Sequence, residues 1–456
     1  MAGAEDARAR TSTEPAQGAM REVVSLAYPL VLTQISITAM SLADSAIVGR
    51  LGAAPLAAVG LGGNWIWTFA SFFVGASAAI QTFVSQRHGA GRDEECGSWS
   101  WQGLAANVPP AAAGALLVLL CADAIVDLLA PTETIAPLTT GYMRARALGL
   151  PGLTAAVAIS SFFRGIGDTR TPLYVTLVVN AVNLLLDFGL VFGLWGLPQL
   201  GVVGAGLATS IAEWLYIGLM GAFFLRPALA ARYHTRFARP RLAEIRRLAR
   251  IGIPIGGQWV LEMLSFAVFV TLVARMGEAE MAASHAFIQL LSLSFMQASG
   301  ISTAAATLVG RAIGAGRPDR VERSYRASLL LAGVLGALIA ALFVLAPNAL
   351  VGIFTDDPDV LAYARPLLMI GAAFQLMDAL GIVTDGALRG AGDTRWPFAV
   401  RCLFSWLVFL PFAWWLAFPL EQGLTGAWLG GLVYIALLSP TLLWRFRSQA
   451  WRRIQI

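Results

Sequence analysis

The chain contains no lysine: all 32 of its basic residues are arginine, set against 27 acidic ones. It has three cysteines and three histidines in 456 residues, and only 13% of its residues are charged. Each shortage excludes something. Without lysine there is no nucleotide phosphate loop of the Gly-rich kind that ends in Lys. Cys96, Cys121 and Cys402 are scattered, and His88, His234 and His285 cluster with none of them, so neither a metal site nor a disulfide framework is indicated. Soluble domains carry roughly 25% charged residues and 45–50% apolar ones. Here the hydrophobic share is 57% and mean hydropathy is +0.69, which makes this a membrane chain. Residues 1–20 are polar, lack the apolar stretch of a signal peptide and read as a disordered cytoplasmic tail.

What the chain has in abundance is long apolar runs, and it has them twice. Val84-Ser-Gln-Arg-His-Gly-Ala-Gly-Arg92 returns as Val309-Gly-Arg-Ala-Ile-Gly-Ala-Gly-Arg317, and Arg164-Gly-Ile-Gly-Asp-Thr-Arg-Thr-Pro172 returns as Arg389-Gly-Ala-Gly-Asp-Thr-Arg-Trp-Pro397. The offset is 225 in both cases (309 − 84, 389 − 164), and Pro29 and Arg50-Leu-Gly52 return as Pro254 and Arg275-Met-Gly277 at the same distance. Gly201-Val-Val-Gly-Ala205 and Gly423-Leu-Thr-Gly-Ala427 match at 222. Runs able to cross about 30 Å of hydrocarbon as helices fall at 22–49, 55–86, 99–129, 136–163, 171–195 and 201–225. The second copy has 247–276, 281–314, 322–353, 360–388, 396–418 and 423–444. The expected fold is therefore all-α and integral to the membrane. Its twelve transmembrane helices form two six-helix bundles, and because six is even the copies share one direction and are related by a pseudo-two-fold axis along the membrane normal.

These spans divide the chain into a tail (1–20), an N-lobe (21–225), a basic linker (226–246), a C-lobe (247–447) and a second tail (448–456). With both termini inside, 27 of the 32 arginines lie in or beside cytoplasmic segments, which is the positive-inside pattern. Arg226, Arg232, Arg236, Arg239, Arg241, Arg246, Arg247 and Arg250 crowd the linker. Such a run between two spans suits anionic lipid headgroups rather than nucleic acid.

Acids inside spans carry the functional expectation, because a charge at mid-bilayer costs about 2.5–3.5 kcal/mol even on insertion scales. In the first copy Asp44 lies in span 1 and Asp187 in span 5, with Asn180 and Asn183 at i−7 and i−4 on the same helical face. Thr209 in span 6 adds a hydroxyl if the bundle closes. Carboxylates, amide oxygens and a hydroxyl suit a small hard cation or a proton relay. The blander alternatives are that the asparagines bind helices together and that Thr209 bonds its own backbone. In the second copy Glu262 lies in span 7 and Asp378 and Asp385 in span 10, with Gln375 one turn before Asp378; Asp385 can instead pair with Arg389. The two acid sets are not repeat partners: Glu262, Asp378 and Asp385 map back to Ile37, Leu153 and Ser160, while Asp44 and Asp187 map forward to Phe269 and Phe412. The doubled Arg-Gly-x-Gly-Asp-Thr-Arg-x-Pro segments read as structural turns in which Asp and Thr cap the next helix.

On these motifs the chain resembles the multidrug and toxic compound extrusion (MATE) family across residues 20–447. The resemblance implies an inner-membrane antiporter, not an enzyme, with no cofactor beyond H⁺ or Na⁺ as coupling ion. It would exchange that ion for organic, often cationic, drugs or metabolites by rocking two lobes around a central cleft, with Pro29 and Pro254 as hinge positions, and could work as a monomer. Position by position, Asp44, Asn183 and Asp187 match the cation-coupling residues of DinF-like members, with Thr209 the span-6 hydroxyl, and Glu262 and Asp378 match the acids of NorM-like members. This chain carries both sets. The expected coupling is by H⁺ through Asp44 and Asp187, with Glu262 and Asp378 holding a second cation or the substrate's charge. Trp65, Trp67, Met263 and Phe266 are candidate cleft residues, although Trp more commonly anchors at the interface. A lipid-linked oligosaccharide flippase on a related scaffold would need inward basic residues for pyrophosphate, whereas the spans here carry acids. A membrane-embedded prenyl transferase would need clustered aspartates for Mg²⁺-diphosphate, and the acidic knot Asp356-Asp357-Pro-Asp359 falls in an external loop. A sensor would be expected to append an output domain, and the tail after the C-lobe, 448–456, has nine residues.

Overall fold

The computed structural model describes residues 16–129, 132–354 and 357–454, and no strand occurs among them. With no water in hydrocarbon to satisfy backbone N–H and C=O groups, long apolar runs close their hydrogen bonds internally as helices. The first half contributes α1 (Ala16–Gly49), α2 (Ala53–Gly89), α3 (Asp93–Leu128), α4 (Ala136–Ala147), α5 (Leu150–Gly165), α6 (Arg170–Phe192) and α7 (Gly201–Phe224). The second contributes α8 (Leu242–Ala274), α9 (Glu278–Gly314), α10 (Pro318–Leu345), α11 (Ala364–Gly390), α12 (Arg395–Phe404), α13 (Leu410–Ala417) and α14 (Gly423–Arg447).

Ten helical segments are each long and apolar enough to cross a membrane, and α4 with α5 form an eleventh unit bent by 43°. The 37-residue α9, whose apolar run is interrupted by His285, Gln289 and Gln297, occupies the place of the remaining expected span. Two expected spans are therefore not straight rods. The run at 136–163 bends after Ala147, and the run at 396–418 passes through a π-helical turn at Ser405–Phe409 between α12 and α13.

The segments outside the spans are more ordered than their composition suggests. Helix begins at Ala16, so 16–20 belong to α1 rather than to a disordered tail, and residues 1–15 lie outside the described residues. The basic linker is pinned to α3. Trp101 Nε1 donates to the Thr235 carbonyl at 3.0 Å, Gln102 Nε2 to Arg239 O at 3.0 Å, and Arg241 N to Gln102 Oε1 at 2.7 Å. Near the other terminus a short helical turn, Ala450–Arg453, buries Trp451 in a stack on Phe446.

The repeated motifs mark corresponding corners. Gly91 and Gly316 have φ of +73° and +66°, and Gly167 and Gly392 have +73° and +84°, left-handed backbone that glycine adopts at little cost. All four corners sit at one end of the molecule, beside the linker and most of the arginines.

At that arginine-rich end the two halves exchange their leading helices. The start of α1 (Val23, Leu26, Ala27, Leu30) packs with Ile301, Ala304 and Leu308 of α9, while the start of α8 (Leu248, Ile251, Ile255) packs with Ile80, Phe83 and Phe162 of the first half. Each helix then returns to its own bundle: Ile47 and Val48 join Tyr142 and Val191, and Phe269 and Val273 join Phe287 and Trp428. Pro29 and Pro254 lie within these crossing helices, which run unbroken through them. Glycines permit the close approach. A β-carbon on Gly252 would come within 2.8 Å of Ala76 O, and one on Gly75 within 3.0 Å of Gly256 Cα. Cross-half hydrogen bonds cluster at the same end, among them Gln81 Nε2 to Thr307 Oγ1 at 2.9 Å and Gln86 Nε2 to Gly390 O at 3.0 Å. Halfway along α1 a 3.4 Å Thr38–Met296 sulfur contact joins the halves. Toward the opposite end Ile37, Leu42, Met263, Leu264 and Phe295 remain exposed.

If these glycines hold the halves together, Gly252→Ala will destabilise the folded protein by about 1–3 kcal/mol through overpacking, seen as a lowered melting temperature in detergent. Gly218→Ala, where nothing lies within 4 Å, will leave it unchanged or slightly raised.

Candidate functional site

In the first bundle α1 carries Asp44, and α6 carries Asn183 and Asp187 on one face because residues four apart lie one turn above another. Asn183 Nδ2 donates to Asp187 Oδ2 at 3.0 Å and to Asp44 Oδ1 at 3.3 Å. The carboxyl groups of Asp44 and Asp187 are also within hydrogen-bonding reach of one another. Asn183 and Asp187 are 2% and 1% exposed. Asn183 Oδ1 and Asp187 Oδ1 are both shut off from solvent with no hydrogen-bond partner. Leaving buried acceptors unpaired costs roughly 1–3 kcal/mol each, more for charged groups. Oxygens so placed can accept a proton or a small cation.

Two sequence candidates stand apart from it. Asn180 Nδ2 donates to the carbonyl and hydroxyl of Ser36 at 3.0 and 2.8 Å, which ties α6 to α1. Thr209 Oγ1 donates to Ala205 O, its own helix, at 3.1 Å.

Sequence reasoning missed a buried ion pair in the same bundle. Arg146 Nη1 lies 2.9 Å from Glu213 Oε2, with side chains 11% and 10% exposed, and Arg146 is also an electrostatic neighbour of Asp44 and Asp187. The signal was available: Arg146 interrupts the apolar run at 136–163, and Glu213 the run at 201–225.

The second bundle is built differently. Arg401 of α12 reaches Glu262 of α8 at 3.0 Å and, more loosely, Asp385 of α11 at 3.5 Å. Gln258 Nε2 adds a weak 3.4 Å bond to Glu262. Asp385 therefore pairs with Arg401, which lies nearer than Arg389. Asp378 has no hydrogen-bond or ion-pair partner among the described residues, and Gln375 accepts a hydrogen bond from Ser294 Oγ. Three acids thus share one fixed cation. Shifting by 225, Arg146 corresponds to Gly371 and Arg401 to Thr176, so the buried arginines are as asymmetric as the acids.

The doubled turns are not equivalent either. Asp168 caps α6 as expected, accepting from the N–H groups of Arg170 and Thr171 at 3.2 and 3.0 Å. Asp393 instead binds Arg445 at 2.7 Å, and Thr394 Oγ1 bonds Ile251 O. The second Asp serves the bundle interior because Arg445 on α14 offers a charge that the first copy lacks. Trp65, Trp67 and Met263 are exposed, whereas Phe266 packs on the second bundle's core. Of the acidic knot, Asp357 caps a short helix through Asp359 N at 2.9 Å, and Asp356 lies outside the described residues. No group of three or more metal-ligating side chains exists among the described residues. The inward basic residues a flippase would need do occur as Arg146 and Arg401, but a carboxylate takes up each.

Removing one partner of a buried ion pair costs about 3–5 kcal/mol, whereas an apolar replacement of both is near neutral. Arg146→Met alone should therefore lower the unfolding temperature of the purified protein markedly, and Arg146→Met with Glu213→Leu should recover most of the loss.

The MatE family profile matches residues 29–189 and 254–415; the two matches begin 225 residues apart (254 − 29). The chain is 31% identical over 433 residues to the multidrug resistance protein NorM of Burkholderia vietnamiensis, covering 93% of each chain. It is 32% identical over 450 residues to the probable multidrug resistance protein NorM of Pseudomonas aeruginosa, covering 96% of this chain and 91% of the relative. A structure titled as the outward-facing conformation of a multidrug resistance MATE family transporter superimposes with a TM-score of 0.87 at 19% identity, over 97% of this chain and 100% of the other. The Vibrio cholerae MATE transporter VcmN in its bent form gives 0.85 at 21%, over 96% and 98%. These likenesses show the fold. With the profile matched in both halves and relatives 31–32% identical along nearly the whole length, the chain belongs to the MatE family.

Proposed function

We propose that this protein is a cation-coupled antiporter that exports organic, often cationic, drugs or metabolites across the cytoplasmic membrane. The reading is carried by the partnerless oxygens of Asp187 and Asn183 beside Asp44. Two carboxyl groups in contact, Asp187 buried and Asp44 half-buried, hold a charge that no fixed cation within bonding distance offsets. Arg146 is engaged by Glu213. A mobile H⁺ or Na⁺ can meet that need, and a cation that enters and leaves can drive another compound the opposite way. We assign the coupling to H⁺ at Asp44 and Asp187, and the substrate's positive charge or a second cation to Glu262 and Asp378, where acids outnumber Arg401. Membership of a family whose relatives are named for multidrug resistance supports the export reading.

Both termini and the basic linker belong in the cytoplasm by the distribution of arginines. In that orientation the described conformation is closed on the cytoplasmic side by the contacts of α2 with α8 and α9, and open outward. Alternation would break these contacts and close the opposite end, with the two lobes, 21–225 and 247–447, moving as units. The likeness to a structure titled outward-facing favours this assignment.

In proteoliposomes an imposed pH gradient should drive transport of a fluorescent organic cation, and Asp44→Asn or Asp187→Asn should lower that rate at least tenfold. Glu262→Gln should mainly weaken substrate affinity. Transport driven by a Na⁺ gradient alone and unaffected by Asp187→Asn would overturn the assignment.

A further inference from the structure

Three arginines at the junction of the two halves have no ion-pair partner among the described residues, although Asp385 acts on Arg389 from a distance. Arg164 lies at the end of α5, Arg389 at the end of α11 and Arg311 in the last turn of α9. All three are half-buried, and the Nε atoms of Arg164 and Arg311 are closed off from solvent without a hydrogen-bond partner. No carboxylate among the described residues forms an ion pair with any of them. The nearby acids are already engaged: Asp168 in its helix cap, Asp393 by Arg445, Asp385 by Arg401, and Asp93 by His88 and Arg232. Exposed Glu22 acts on Arg311 only from a distance.

The three residues meet at one junction of the chain. Arg311 packs against the Arg164–Asp168 turn so closely that a β-carbon on Gly167 would collide with its Nη2. Thr307, one turn back on α9, donates to Arg164 O at 3.0 Å, and Thr82 donates to Arg389 O at 3.0 Å. Arg164 and Arg389 are repeat partners and lie within electrostatic range of each other. The repeat partner of Arg311 is Gln86 (311 − 225), which spans the junction by a neutral bond to Gly390 O. A third positive charge thus stands where an amide would complete the contact.

Guanidinium cannot shed its proton in a protein, and a half-buried cation without an ion partner is strongly disfavoured. Its planar fork matches the oxygens of a phosphate group in pairs. We propose that Arg164, Arg311 and Arg389 form a binding site for a phosphate-type oxyanion at the seam between the halves. Arg164 comes from the first half and the other two from the second, so the bound anion ties the halves together and stabilises the arrangement closed at this end. An anionic phospholipid headgroup and free phosphate share the chemistry, and the experiment separates them.

The test needs no transported compound and no ion gradient, so its outcome is independent of the antiport reading. Spin labels on Ala90→Cys and Ala315→Cys, exposed turn positions on either side of the seam, report closure by their separation in full-length protein with Cys96, Cys121 and Cys402 replaced by Ser. In nanodiscs, exchanging part of the phosphatidylcholine for phosphatidylglycerol should raise the closed population severalfold. Inorganic phosphate added to phosphatidylcholine discs, compared with chloride at equal ionic strength, tests the soluble source. Arg164→Gln, Arg311→Gln and Arg389→Gln should each abolish most of the response, Arg311→Lys should keep part of it, and Arg236→Gln with Arg239→Gln in the linker should keep it all. Should the glutamine variants fail to fold, native mass spectrometry of the wild type should still detect one retained phosphatidylglycerol or phosphate. The proposal is overturned by no response to either anion, by an equal response to chloride, or by one that survives in the seam variants and vanishes in the linker variant.

Discussion

A carboxylate buried in hydrocarbon needs a positive charge close by, and the organisation of this molecule follows from how each acid meets that demand. Glu213 meets it with Arg146 and Asp393 with Arg445, at 2.9 and 2.7 Å; both are fixed structural pairs. Glu262 and Asp385 share Arg401, a partial balance that leaves Asp378 over. Asp44 and Asp187 have one another and the amide of Asn183, and no cation at ion-pair distance among the described residues. The gradient from fully paired to unpaired divides these acids more sharply than burial does, because Glu213 and Asp187 are both buried and only Asp187 lacks an ion-pair partner among the described residues.

Much of this was legible in the residues. The 225-residue offset located all four glycine corners, and the spacing of Asn183 and Asp187 correctly placed them on one face toward Asp44. Pairings between distant segments were not legible. Arg146 and Glu213 lie 67 residues apart, and nothing in either apolar run says that the two meet. Asp385 was read against Arg389 because four residues separate them on one helix, yet packing brings Arg401 from α12 closer. Thr209 and Asn180 depended on rotation about the helix axis, which a half-buried helix does not record in its composition. The helix at 16–20 was missed because polar composition was read as lack of order, and the hydrogen bonds that Trp101 and Gln102 of α3 make to the linker backbone join distant segments that the sequence does not pair.

The repeat explains the closure at one end and the asymmetry at the other. The leading turns of α1 and α8 cross to the opposite bundle through related glycine and alanine contacts, so the halves meet by a rule both copies obey. Charge departs from that rule. The acids, the buried arginines, the Asp of the second turn and the Arg311 that replaces Gln86 all break the pseudo-symmetry. A duplicated frame gives two related halves, and unequal charge makes their interiors differ. The three arginines at the seam sit where the two lobes touch, so whatever neutralises them bears on the balance between closed and open.

The claim that a mobile ion occupies the Asp44–Asp187 pair is most directly tested by counting protons. Purified protein in weakly buffered solution is mixed with a tightly binding organic cation, and the pH change is recorded against the amount bound. Release of about one proton per cation bound, lost in Asp44→Asn and Asp187→Asn, is the expected result. Binding with no proton release, or release that persists when both aspartates are replaced, would contradict it.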